Sequence, residues 1–130
     1  MQKRRESVSD ILVVDDDGLL RSLVVEWLAV AGYRVREAPN GDAALALLRA
    51  RPAALVITDM QMPGTDGAQM LAALRSELPE LRIVAMSGEF HSRHGVSTRA
   101  ALALGASRCL VKPFGRKDLL DMVCQVIGAP

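Results

Sequence analysis

The chain has 130 residues, half of them apolar, with 16 Lys and Arg against 15 Asp and Glu and a formal net charge of +1. That length suits one domain with a sizeable buried core and leaves little room for two. The balanced charge argues against direct nucleic-acid binding, and no apolar run approaches the roughly 20 residues of a membrane helix. The N-terminus MQKRRESVSD lacks the apolar stretch of a secretion signal, so a cytoplasmic protein without a membrane partner is expected.

The basic cluster Lys3, Arg4 and Arg5 stands before the first apolar run and reads as part of a flexible, solvated tail over residues 1–9, with the folded domain over residues 10–128. Short apolar runs then alternate with helical patterns. The first run, ILVV at 11–14, is followed by Leu20, Val24, Trp27, Leu28 and Ala31 at helical spacing, with Gly32 as the stop; Trp27 reads as core or core edge. The run YRV at 33–35 leads through the turn PNG into a helix over 42–50. The run ALVI at 54–57 precedes a helix over 67–78 that ends before Pro79. RIVAM at 82–86 is followed by a helix over 98–104, and RCLV at 108–111 by a helix that repeats Leu119, Val123, Val126 and Ile127. Strands alternating with helices imply βαβ units around a parallel sheet, hence an α/β (βα)5 sandwich. Cys109 and Cys124 have no CxxC spacing and read as reduced, buried thiols.

In such a sheet, residues at the carboxyl ends of the strands converge on one crevice. Asp15, Asp16 and Asp17 follow the first run, Asp59 the third, Ser87 the fourth and Lys112 the fifth, while the second contributes none. Singly, an Asp after a strand caps a helix or makes an Asx turn, and a Ser or Lys there is ordinary. Together, carboxylates at that distance repel and raise one another's pKa unless a cation sits among them. A hard divalent ion with oxygen ligands fits, and the set of acids, hydroxyl and ammonium suits phosphoryl transfer.

The motifs VVDD at 13–16, ITDMQMPGTDG at 57–67, VAMSG at 84–88 and LVKPF at 110–114 occur in that order. In this the chain resembles the CheY-like receiver domains of two-component response regulators. The resemblance implies a flavodoxin-like fold with strand order 2-1-3-4-5. It further implies that Asp59 accepts a phosphoryl group from a histidine kinase or phosphotransfer protein, with Mg²⁺ (or Mn²⁺ in its place) as cofactor. By the same resemblance Asp16, Asp59 and the backbone carbonyl of Gln61 ligate the metal, Asp15 holds it through water, and Asp17 is a bystander. Ser87 and Lys112 bind the phosphoryl oxygens, and the Lys112–Pro113 bond is cis. Such a domain is no enzyme beyond its own phosphorylation and dephosphorylation. It signals by a change of conformation to a downstream protein, as a monomer or weak homodimer. With no output segment after Pro130, the signal passes to a partner or along a phosphorelay unless the natural protein is longer.

Two other readings compete. Haloacid-dehalogenase-like phosphatases share the D-x-D-G pattern of Asp15, Asp17 and Gly18, with Asp15 as nucleophile and Asp17 as acid/base, but leave Asp59 unexplained. A pseudo-receiver that takes no phosphoryl group would not need Asp59, Asp16 and Lys112 intact. The chain also departs from the receiver pattern. Cys109 stands three residues before Lys112, where an aromatic residue is usual, and the segment between Ser87 and Gly105 is long, with His91 and His94 reading as exposed loop residues. Gln61 and Glu89 occupy positions that in the family tune the lifetime of the phosphoryl group. With Cys109 unable to swing as a ring, the switch is expected in residues 87–96.

Overall fold

The first strand, β1 (Asp10–Val14), is buried along its whole length, as a strand covered on both faces must be. The computed structural model describes residues 10–60, 67–88, 102 and 105–130. After β1 come α1 (Gly18–Ala31), β2 (Arg34–Ala38), α2 (Gly41–Ala50), β3 (Leu55–Asp59), α3 (Gly67–Glu77), β4 (Arg82–Gly88), β5 (Arg108–Lys112) and α4 (Arg116–Ile127). The helix expected over 98–104 lies outside the described residues, apart from the helical Leu102. All neighbouring strands pair in parallel, in the order β2-β1-β3-β4-β5. This is the flavodoxin-like arrangement, and it places the point where the strand order reverses between β1 and β3.

Alternation along the strands divides the core in two. Leu12, Val14, Val56, Ile83 and Ala85 face Ala44 and Leu48 of α2 and Met70, Leu71 and Leu74 of α3. Ile11, Val13, Leu55, Ile57, Val84 and Met86 face Val24 and Leu28 of α1 and Leu119 and Val123 of α4. Each fully buried Leu or Ile contributes on the order of 1.5–3 kcal/mol, so the two layers hold the sheet rigid beneath whatever stands at its ends. Trp27 packs half-buried against the second layer.

Local signals fix the helix ends. Asp17 Oδ1 accepts from the N–H groups of Leu19 and Leu20 at 3.0 and 3.2 Å, and Asn40 Oδ1 accepts from Ala43 N–H at 2.8 Å; both satisfy donors that a helix start leaves unpaired. Asp118 Oδ2 accepts from Gly115 N–H at 3.0 Å at the start of α4. Gly32 ends α1 with φ of +113°, a conformation that favours glycine.

At the N-terminal ends of the strands, buried Asp10 pairs with Arg36 at 3.4 Å and with Arg51 at 3.2 Å. Arg36 also donates to the carbonyls of Leu47, Arg51 and Pro52, which close the end of α2.

One sequence expectation needs correction. The two cysteines are free but not buried: Cys109 is half-buried against the first core layer and Cys124 is exposed on α4. Cys124 falls on the solvent side of a helix whose apolar stripe is carried by Leu119 and Val123, and its residue type says nothing about which face it takes.

Candidate functional site

The carboxyl ends of β1, β3, β4 and β5 meet around one acidic cluster. Asp15 follows β1, Asp59 ends β3, Ser87 lies one residue before the end of β4 and Lys112 ends β5. The register carries them to a common level, with Asp59 beside Met86, Ser87 beside Val111 and Gly88 beside Lys112. Asp15, Asp59 and Ser87 are buried, and Asp16 is exposed. One carboxylate oxygen from each of Asp15, Asp16 and Asp59 lies within 4.8 Å of the others. Lys112 Nζ stands 3.3 Å from Asp59 Oδ2. The Lys112–Pro113 peptide bond is cis.

Among the described residues, three carboxylates meet beside the Lys112 ammonium, and Asp15 is shifted there. Burial pushes its carboxyl up from 3.8 to about 6. A hydrogen bond from the Asp17 N–H opposes this, Asp59 adds repulsion, Lys112 relieves part of it and Asp16 adds more. Two buried oxygens, Asp15 Oδ2 and Ser87 Oγ, have no hydrogen-bond partner among the described residues. An unsatisfied buried polar atom costs about 1–3 kcal/mol, so the site is built for something it does not itself supply. A donor set made wholly of oxygen suits Mg²⁺, and the unpartnered Asp15 Oδ2 would be open to such an ion or to a water bound to it.

The structure separates the three consecutive aspartates. Asp15 and Asp16 join Asp59 in the cluster, whereas Asp17 spends its carboxylate on the first turn of α1. A D-x-D pair acting as nucleophile and acid/base needs Asp17 at the reacting centre, so this geometry disfavours the phosphatase reading. Gln61, Glu89, His91 and His94 lie outside the described residues, as does all of the segment expected to switch except Ser87 and Gly88.

A family model described as the response regulator receiver domain matches residues 11–124. The chain belongs to this family. Its receiver fold is 36% identical over 117 residues to the response regulator protein FleR of Pseudomonas aeruginosa, a match that covers 88% of this chain and 24% of that protein. It is 36% identical over 129 residues to the probable transcriptional regulator ycf27 of Porphyra purpurea, covering 98% of this chain and 49% of the relative. The chain thus spans 24% and 49% of the length of these two curated relatives. Among solved structures, the receiver domain of NtrX from Brucella abortus superposes with a TM-score of 0.83 at 32% identity, covering 91% of this chain and 98% of that one. The chemotaxis response regulator CheY4 of Vibrio cholerae superposes with a TM-score of 0.79 at 31% identity, with the same coverage. The group of Asp15, Asp16 and Asp59 is an acidic cluster of the kind at which receiver domains bind Mg²⁺.

Two residues of the receiver that border the cluster are missing from the sequence expectations. Arg21 Nη1 donates to the Asp15 carbonyl at 2.6 Å, and Arg21 Nε pairs with Glu37 Oε1 at 2.8 Å. Glu37 lies on β2, past the apolar residues that marked that strand. A search for polar residues at the true end of β2 would have found it, but β2 is an edge strand with little continuous burial, so its end is not visible as the end of an apolar run.

Proposed function

We propose that this receiver accepts a phosphoryl group on Asp59 and passes the resulting change of conformation to a protein partner. The observation that carries the reading is the buried Asp59 carboxylate at the reversal point of the sheet, 3.3 Å from Lys112 and sharing a cluster with Asp15 and Asp16. An Asp59 oxygen attacks phosphorus of a phosphohistidine on a kinase or phosphotransfer protein. The new P–O bond forms as the P–N bond breaks, and the imidazole leaves with the electron pair and takes a proton from solvent. Bound Mg²⁺ supplies charge neutralisation for the phosphoryl oxygens. Asp15 and Asp16 hold that ion together with Asp59, and Mn²⁺ can replace it.

Lys112 donates to a phosphoryl oxygen, and the unpartnered Ser87 hydroxyl donates to another, which would satisfy the buried Oγ. Return to the resting state is hydrolysis: water attacks phosphorus, the P–O bond to Asp59 breaks, and inorganic phosphate and the carboxylate are regenerated. On this reading the chain catalyses only its own phosphorylation and dephosphorylation. The receiver unit is taken as residues 10–128, acting in the cytoplasm as a monomer or weak homodimer. Among the described residues no helix is long and apolar enough to cross a membrane.

Incubation with Mg²⁺ and a small-molecule phosphodonor tests the reading by intact mass. One phosphoryl group is expected on the wild type and none on Asp59→Asn. Phosphorylation that survives Asp59→Asn but disappears in Asp15→Asn would overturn it in favour of a nucleophile on β1.

A further inference from the structure

Asp15 is gripped at three points. Its N–H donates to the Ala38 carbonyl at 3.1 Å, and its Oδ1 accepts from the Asp17 N–H at 2.9 Å. Its own carbonyl accepts from Arg21 at 2.6 Å, and Arg21 is anchored by Glu37 at 2.8 Å. Glu37 and Ala38 are neighbours at the end of β2. The same strand end therefore holds Asp15 directly on one side and through a guanidinium on the other.

The Asp15 carbonyl belongs to the peptide group that joins Asp15 to Asp16. That group is planar, so a donor fixed on its oxygen sets the plane and with it the direction in which Asp16 leaves the chain. Asp16 needs this, because its exposed carboxylate has no burial to orient it. Arg21 Nη1 and Nε bond the Asp15 carbonyl and Glu37 and not a carboxylate of the cluster, and Asp15 Oδ2 keeps no partner among the described residues. As an ion pair whose Glu37 side chain is nearly half open to water, Arg21–Glu37 contributes little to stability. A role in geometry accounts for it better.

We infer that Arg21, braced by Glu37, is a positioning residue for the cation-binding carboxylates Asp15 and Asp16. The inference rests on the Mg²⁺-dependent reading above. Charge and positioning predict opposite signs. A guanidinium near a cation site repels the ion, so by charge alone its removal tightens Mg²⁺ binding. If Arg21 positions the ligands, its removal weakens binding.

The test is calorimetric titration of the full chain with Mg²⁺, together with the melting temperature in the absence of divalent ions. Arg21→Ala is expected to weaken Mg²⁺ binding about tenfold, as loss of a partner behind a metal ligand typically does, with little change in the cation-free melting temperature. Arg21→Lys should recover part of the affinity, since an ammonium can hold the carbonyl but lacks the fork that reaches Glu37 as well. Glu37→Ala should weaken binding less than Arg21→Ala, and the double variant should be no worse than Arg21→Ala alone, as for two residues acting in one chain. The rate of phosphorylation in Arg21→Ala should return to the wild-type level at saturating Mg²⁺, with only the half-saturating concentration raised. If Arg21→Ala folds poorly, Arg21→Lys carries the test, because it keeps the positive charge and is expected to weaken Mg²⁺ binding only if Arg21 positions the ligands. Wild-type or tighter Mg²⁺ binding in the arginine variants, with Asp16→Ala abolishing it, overturns the positioning role alone. Unchanged binding in Asp16→Ala removes the cation site itself, and the role of Arg21 with it.

Discussion

Acidification should loosen the hold on Mg²⁺ while tightening the cation-free fold, and one carboxyl produces both effects. Asp15 titrates near 6 in the folded protein because it is buried among like charges. A cation needs it ionised. Between about pH 7 and about pH 5 its ionised fraction falls from about nine-tenths to about one-tenth, so Mg²⁺ affinity should drop about tenfold through this group. The stability effect has the opposite sign. A folded-state value raised above the unfolded 3.8 means that the folded protein binds the proton more tightly. The contribution is therefore fully present below 3.8 and is lost as pH rises through about 6. Over the same pH interval, linkage gives about 1.3 kcal/mol of added stability at the acid end. Calorimetry at the two pH values, with proton release measured in buffers of different ionisation enthalpy, reads the first effect. Denaturant melts without divalent ions read the second. In Asp15→Asn both slopes should flatten. An affinity that changes less than about twofold, or a stability difference that persists unchanged in Asp15→Asn, would refute the assignment of this titration to Asp15.

Other outcomes separate neighbouring residues. Asp17→Ala should cost about 1 kcal/mol in thermal or denaturant melts by removing the cap of α1, yet leave Mg²⁺ affinity unchanged in the same titration that shows Asp16→Ala losing it. Lys112→Ala should strengthen Mg²⁺ binding, because it removes a cation 3.3 Å from Asp59, and should slow phosphorylation followed by intact mass. Gly32→Ala should destabilise the protein by about 1 kcal/mol, since a side chain there is strained at φ of +113°; circular-dichroism melts check this without touching the site.

Much of the architecture could be read from the chain because buried parallel strands are continuous apolar runs, and β1, β3 and β4 are that kind of strand. Their ends were visible for the same reason, and Asp15, Asp16, Asp59 and Ser87 stood out as polar residues within two positions of where the apolar runs stop. Lys112 required the fifth run, which is less buried but still apolar enough to mark its end. The residues alone do not give direction: three identical carboxylates look alike, and only the resemblance sets Asp17 aside, where the structure shows it turned back to cap α1. Arg21 and Glu37 escaped for a related reason: the strand that carries Glu37 is exposed or half-buried up to its last residue, and the pairing with α1 is a matter of three-dimensional reach. Gln61 and the segment from Glu89 to Val96 are expectations that the described residues do not address.

The two ends of the sheet treat the same kind of residue in opposite ways. Buried Asp10 is compensated by two guanidinium groups, whereas buried Asp15 keeps an oxygen with no partner among the described residues. A mutational scan scored only for the amount of soluble protein should therefore be asymmetric. Neutral replacements of Asp15 should score as tolerated or even beneficial, while loss of Asp10 or Arg36 should deplete the protein, because breaking a compensated buried pair strands a charge. Scored for phosphorylation, the same library should invert its ranking at the carboxyl ends of the strands. Positions at which the two scores disagree in sign would then mark the reactive end of the sheet without any knowledge of the kinase, the partner or the signal.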